Sequence, residues 1–227
     1  MLKNKELIIF DLDGTLIDSV PSLAYSINLM LKELGKDELP QELIREFVGN
    51  GADMLVKRAL VGKKEIIDGE IKEDYFQNAK ELLLKYYAQN LNQKTMLYPD
   101  VIDTLNKLKE QGYILALATN KPIEFVPDIL EYFNLDSYFK VALGGGSTKH
   151  KKPNPEILLK ICNDLNIPSS KSVMVGDSSS DILAAKAANM DSIALTYGYN
   201  QGINLEDLEP TVICNNFKTI LDFLHNQ

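Results

Sequence analysis

Short apolar runs punctuate the chain at residues 7–10 (LIIF), 113–118 (YILALA), 139–143 (FKVAL), 172–175 (SVMV), 192–195 (SIAL) and 211–214 (TVIC). Runs this short predict strands buried within a sheet. Between them the apolar spacing changes to three and four residues. Residues 155–165 set Ile157, Leu158, Ile161, Cys162 and Leu165 on one helical face, and residues 100–111 do the same with Val101, Leu105 and Leu108 ahead of Gly112. Strand and helix in alternation predict an α/β fold, a doubly wound parallel sheet with helices on both faces. Such a sheet binds ligands at the carboxyl ends of its strands.

The stretch between the first two strands is too long for a simple crossover. From about residue 17 to residue 94 the pattern is helical, with Leu23, Ile27, Leu31 and Leu34 on one stripe and Phe76, Leu83, Tyr86 and Tyr87 on a later one. An inserted helical domain over 17–94 is expected, on a core formed by 1–16 and 95–227. Its edges, TLIDSVP at 15–21 and NQKTMLYP at 92–99, are polar or proline-marked and suit a two-strand hinge. The charged patch GKKEIIDGEIKED at 62–74 reads as a solvated turn between helices, and the tyrosine-rich stripe at 75–87 as the insertion's own core.

Composition narrows the function. The 227 residues carry a net charge of −8, which argues against nucleic acid or an anionic membrane surface as partner. Cys162 and Cys214 lie in apolar surroundings without metal-ligand spacing and read as reduced core thiols. The chain runs at once from MLKNKE into the first strand, and no apolar run approaches membrane-spanning length, so a cytoplasmic protein is expected. His150 and His225 have no partners at ligand spacing and read as surface residues. No heptad or other interface signal chooses between monomer and homodimer.

Polar clusters fall at four strand ends: Asp11-Leu12-Asp13-Gly14-Thr15, Thr119-Asn120-Lys121, the lysine of GGGSTKHKKPNP that precedes Pro153 (Lys152), and Gly176-Asp177 through Asp181. Phosphoryl transfer needs this combination. A carboxylate attacks phosphorus once a metal offsets charge repulsion, and a second carboxylate protonates the leaving oxygen. Oxygen ligands from Asp11, Asp177 and a backbone carbonyl suit Mg2+. Lys152 and the Thr119 hydroxyl would hold the negative phosphoryl oxygens. The glycines at 144–146 lack the Gly-Lys-Ser/Thr ending of a nucleotide loop and read as a flexible connector. TYGYN at 196–200 reads equally as a wall of the site or a plain surface loop.

In this order DLDGTLIDS, TNK, KKPNP and GDSSSD resemble the four motifs of the haloacid dehalogenase superfamily of phosphatases, over essentially the whole chain. The resemblance implies a Rossmann-like core with a helical cap. It makes Asp11 the nucleophile and Asp13 the general acid and then base, with Thr119 and Lys152 on the phosphate. It also implies Mg2+ held by Asp11, Asp13 and Asp177 with support from Asp181, and substrate contacts from Thr15 and Asn120. Within the insertion, FVGNGADMLVKRAL at 47–60 resembles the cap loop of phosphoglycolate phosphatases, which would turn Gly49, Asn50 and Gly51 toward a small phosphorylated metabolite, 2-phosphoglycolate foremost. A β-phosphoglucomutase-like mutase or a pyrophosphatase of the same superfamily is the alternative. In another class stands a receiver-like phospho-aspartate signalling module.

Overall fold

A computed structural model describes residues 2–224; His225 lies outside them. In chain order the elements are β1 (Leu7–Phe10), β2 (Ile17–Asp18), α1 (Val20–Glu33), α2 (Gln41–Arg45), α3 (Ala52–Val61), α4 (Glu73–Asn90), β3 (Met96–Leu97), α5 (Val101–Glu110), β4 (Ile114–Pro122), α6 (Val126–Tyr132), β5 (Val141–Gly145), α7 (Glu156–Leu165), β6 (Ser172–Gly176), α8 (Ser179–Ala187), β7 (Asp191–Leu195) and β8 (Val212–Cys214).

Six strands form one parallel sheet in the order β5-β4-β1-β6-β7-β8. The run LIIF has no polar face because β1 lies between β4 and β6 and is covered on both sides. Alternation within the strand divides the core. Ile8 and Phe10 join Leu115, Leu117, Val173 and Val175 on one face. Leu7 and Ile9 join Ala116, Ala118 and Met174 on the other, where Ile157, Leu158 and Ile161 of α7 close over them.

The strand expected at 113–118 runs on through Thr119, Asn120 and Lys121 to Pro122, with a shift of register between Ala118 and Pro122. Two of the three glycines expected to form a flexible connector are its partner: Gly144 and Gly145 end β5. A Cβ at Gly144 would stand 2.8 Å from the Lys121 carbonyl oxygen, and one at Gly145 2.8 Å from that of Asn120. Close approach of two backbones, rather than flexibility, explains glycine there.

The insertion leaves and rejoins the sheet through a short antiparallel ribbon, β2 against β3, with Ile17 opposite Leu97 and Asp18 opposite Met96. Four helices fill the interval. Leu23, Ile27 and Leu31 of α1 are buried with Phe76, Ala79, Leu83 and Tyr87 of α4, spacings that keep each set on one face. The charged stretch after α3 is irregular and largely exposed up to Lys72. Among the described residues no helix is long and apolar enough to cross a membrane.

Truncation of Ile161, fully buried under the sheet, tests this packing. Ile161→Ala is expected to lower unfolding free energy by about 2–5 kcal/mol in a urea titration, through lost transfer energy and the cavity left behind. A change within experimental error would mean that α7 does not pack as described.

Candidate active site

Each polar cluster stands where its strand ends. Asp11 follows β1 directly, and its N–H donates to the Val175 carbonyl at 2.9 Å, so its position is fixed by the sheet ladder. The chain then folds back tightly, Leu16 N–H donating to Leu12 O at 2.9 Å and Gly14 N–H to Ile17 O at 2.9 Å. Gly14 has φ +88°, and a Cβ on it would lie 2.1 Å from Asp177 Oδ2. Glycine is therefore what lets the Asp11–Thr15 turn meet the Asp177 loop.

Asp177 follows β6 and receives the Thr15 hydroxyl on Oδ1 and the Tyr199 N–H on Oδ2, both at 2.6 Å. Asp181, in the first turn of α8, closes a capping box with Ser178. Its Oδ2 accepts from the Ser178 N–H at 3.1 Å and the Ser178 hydroxyl at 2.7 Å, while Oδ1 accepts from Lys152 Nζ at 2.6 Å. The Lys152 ammonium also donates to the Ala118 carbonyl at 2.6 Å and stands 3.0 Å from Asp11 Oδ1. That last contact is an ion pair without hydrogen-bond alignment, and Asp11 Oδ1 has no donor at all.

Oxygens of Asp11, Asp177 and Asp181 lie within 4.8 Å of one another, all three residues buried. Burial pushes the Asp11 carboxyl up to about 7; Lys152 pulls it down, and Asp181 and Asp13 add to the rise. Burial likewise raises Asp177 well above the ordinary carboxylate range, with Asp181 and Asp11 adding repulsion. Burial alone would lower Lys152, but Asp11 and Asp181 beside it push it up. An acidic cluster with one ammonium and an orphaned oxygen fits a hard divalent cation, whose preferred ligands are oxygens. Asp11, with an unpartnered oxygen, and Asp177, whose oxygens meet only the neutral Thr15 hydroxyl and Tyr199 N–H, are placed to hold it, whereas Asp181 is paired with the Lys152 ammonium.

Asp13, expected among the ligands, lies outside that cluster. Its carboxylate accepts from the Ser19 hydroxyl at 2.5 Å and from Lys121 Nζ at 2.9 and 3.1 Å. Thr119 lines the same cavity and accepts the Lys121 N–H on its hydroxyl at 3.2 Å. The Asn120 side chain clasps the Lys152 peptide, with Oδ1 accepting its N–H and Nδ2 donating to its carbonyl, both at 2.9 Å. The same Nδ2 reaches the Gly49 carbonyl at 3.1 Å. Gly49 and Gly51 line the cavity. The Asn50 side chain turns to Arg58, Gln201 and Ser180.

Sequence reasoning passed over Lys121 and Ser19. Both sit inside quoted motifs, in TNK and in DLDGTLIDS, and a serine or lysine near a turn carries no sign of which carboxylate it will meet. Tyr87, read as part of the insertion's core, is buried there and also lines the cavity, packed edge-to-face with Phe125. TYGYN lines no part of the cavity but stands behind it at Tyr199, against Asp177. Besides holding Asp177, Tyr199 donates its hydroxyl to Asp18 at 2.6 Å and accepts the Ser19 N–H at 2.9 Å. His150 pairs with Glu156 on the surface, away from this cluster.

The cavity offers about 50 Å3 between the strand ends and the insertion. Asp11, Asp13, Thr119 and Lys121 come from the sheet side; Leu23, Val48, Leu55, Leu83 and Tyr87 come from the helices. A charged floor under an apolar roof can hold a small phosphate ester away from water.

The haloacid dehalogenase-like hydrolase family model matches residues 8–195. A relative from Psychrobacter arcticus named phosphoglycolate phosphatase is 48% identical, the match covering 97% of this chain and 96% of the relative. One of the same name from Colwellia psychrerythraea is 44% identical, with 97% of each covered. The crystal structure of a predicted phosphoglycolate phosphatase from Haemophilus somnus superposes with a TM-score of 0.91 at 40% identity, covering 98% of this chain and 99% of that one. Sheet order, strand-end carboxylates and near full-length similarity agree: the chain belongs to the haloacid dehalogenase-like hydrolase family.

Proposed function

We propose that this hydrolase is a Mg2+-dependent phosphatase that converts 2-phosphoglycolate to glycolate and phosphate through an aspartyl phosphate on Asp11. The observation that carries the reading is the placement of Asp11 and Asp13 together on the floor of a small cavity, beside the buried Asp177–Asp181–Lys152 cluster. The relatives named above as phosphoglycolate phosphatases support the substrate. The names of these relatives also weigh against the mutase alternative. Membership of a hydrolase family weighs against a receiver-like signalling module.

In this mechanism the Asp11 carboxylate attacks phosphorus, and the bond to the leaving oxygen breaks as Asp13 donates a proton to it. Glycolate departs. Asp13 then takes a proton from water, whose oxygen attacks the aspartyl phosphate and releases phosphate. Lys152 and Thr119 hold the equatorial oxygens. Bound to Asp11 and Asp177, Mg2+ would neutralise charge between nucleophile and phosphate. Residues 17–94 act as a cap on the core of 1–16 and 95–227, excluding water while the intermediate exists. The substrate is thus a small phosphorylated metabolite. The free, buried Cys162 and Cys214 suit a reducing compartment, and the reading places the enzyme in the cytoplasm.

Phosphate release from 2-phosphoglycolate, hexose phosphates, nucleoside monophosphates and pyrophosphate tests the substrate; catalytic efficiency led by any other ester would overturn it. Asp11→Asn is expected to cut turnover by about 10⁴-fold or more with an unchanged circular dichroism spectrum, whereas appreciable residual activity would remove Asp11 as nucleophile. Asp13→Asn is expected to accumulate phosphorylated enzyme from an activated ester, visible by intact-protein mass. Absence of that adduct alongside normal alcohol release would deny Asp13 the hydrolytic step.

The raised carboxylates give the metal its own test. Asp11 titrates at about 7 in the fold against an ordinary 3.8. Between those pH values the folded state holds a proton that the unfolded chain has released, so the stability Asp11 contributes is lost as pH rises from about 4 to about 7. Melting temperature without metal is therefore expected to fall across that window, other groups being equal between wild type and Asp11→Asn, which should lose this component. Added Mg2+ should raise it more at pH 8 than at pH 5. An equal rise at both pH values would count against binding through Asp11.

A further inference from the structure

Among the described residues, the charged side chains lining the cavity are Asp11, Asp13 and Lys121. Lys121 is thus its one lining cation. Its buried ammonium donates to both oxygens of Asp13 and lies 4.6 Å from the centre of the Tyr87 ring on α4. Burial alone would lower its pKa, but Asp13 beside it raises it, so the charge is permanent. An ammonium has three N–H donors, and Asp13 is the only hydrogen-bonding partner of Lys121 Nζ among the described residues. The Tyr87 hydroxyl, also buried, stands against that ammonium and helps raise its pKa, and the hydroxyl proton has no acceptor.

A buried cation answered by one carboxylate and a buried hydroxyl whose proton has no acceptor ask for the same complement. The missing group is an acceptor, and next to a permanent ammonium it is an anion. Its place is set by the chemistry. Asp13 marks the leaving oxygen, so a group held by Lys121 and Tyr87 belongs to the leaving alcohol rather than to the phosphate. The rest of the roof, including Leu23, Leu55 and Leu83, is apolar and offers such an anion nothing.

We propose that Lys121 and the Tyr87 hydroxyl bind the carboxylate of the leaving group and so select 2-phosphoglycolate over uncharged phosphate esters of similar size. This rests on the phosphatase reading above and adds to it the residues that read the substrate. Lys121 follows the phosphate-binding Thr119 by two positions, and Tyr87 comes from the insertion. Core and cap therefore meet at the carboxylate.

The test compares 2-phosphoglycolate with ethyl phosphate, which has the ester and two carbons without the carboxylate. For wild type, kcat/KM is expected to favour 2-phosphoglycolate. Lys121→Met is expected to lower kcat/KM for 2-phosphoglycolate by about 100-fold and for ethyl phosphate by about 10-fold at most, the latter through Asp13. Tyr87→Phe removes one oxygen from the cavity and should raise KM for 2-phosphoglycolate about five- to tenfold, with a smaller effect on ethyl phosphate. Equal losses on both esters in Lys121→Met would mean that the lysine serves Asp13 alone, overturning the inference while the phosphatase reading stands. If Lys121→Met does not fold, as judged by its melting curve, Tyr87→Phe decides in the same way: a selective rise in KM supports the inference and an equal effect refutes it. A wild type with phosphatase activity but no preference for 2-phosphoglycolate over ethyl phosphate would refute both the substrate and the inference.

Discussion

Repulsion among buried carboxylates is the constraint around which this molecule is organised. Asp11, Asp177 and Asp181 converge within 4.8 Å, an arrangement that costs several kcal/mol per uncompensated charge. The parallel sheet makes the convergence unavoidable, because β1 and β6 are neighbours and both end at the same edge. Lys152, delivered from the loop after β5, answers part of the charge by pairing with Asp181 and standing beside Asp11. What remains is a deficit of positive charge at the Asp11 end of the cluster. A divalent cation and a phosphoryl group are held well by such a site, since each brings what the other needs.

The sheet and the insertion divide the labour. Charged and hydroxylic groups come from strand ends, whose positions are fixed by ladder hydrogen bonds; the apolar roof comes from helices that pack on one another. Several polar contacts join the two halves around the site, among them Asn50 with Ser180 and Gln201, and Lys151 with Asp53. Asn120 is one, holding the Lys152 peptide with both ends of its amide and reaching the Gly49 carbonyl with the same nitrogen. Tyr199 is another, running from Asp177 to the base of α1. The strand-end groups are held by the sheet ladder, while the roof packs into the same apolar core as one face of that sheet.

Much of this was legible in the sequence because buried parallel strands leave unbroken apolar runs. LIIF, SVMV and SIAL each lie within a strand of the sheet, and the motifs following them are local features that a strand end displays without help from the rest of the chain. The misses share one cause: the facing of a single side chain depends on what tertiary structure brings opposite it. Gly144 and Gly145 read as a loose connector, since nothing local announces that the Asn120 and Lys121 carbonyls will press against them. Tyr87 lies on the same helical stripe as Leu83 and is buried in the core as periodicity expects; that the same ring also borders the cavity is what nothing local displays. Asp13 carries the same signal as Asp11 two residues earlier. Only the fold reveals that its carboxylate turns to Lys121 and Ser19 and away from the acidic cluster.

The narrowness of the connection between sheet and insertion has an evolutionary consequence. Everything from α1 to α4 enters and leaves through a ribbon of two residues on each side, Ile17–Asp18 against Met96–Leu97. A lineage can lengthen, shorten or recombine the helices beyond that ribbon without moving Asp11, Lys152 or Asp177, which are anchored in the sheet. New diets can thus be tried on an old engine, and a failed trial leaves the engine intact.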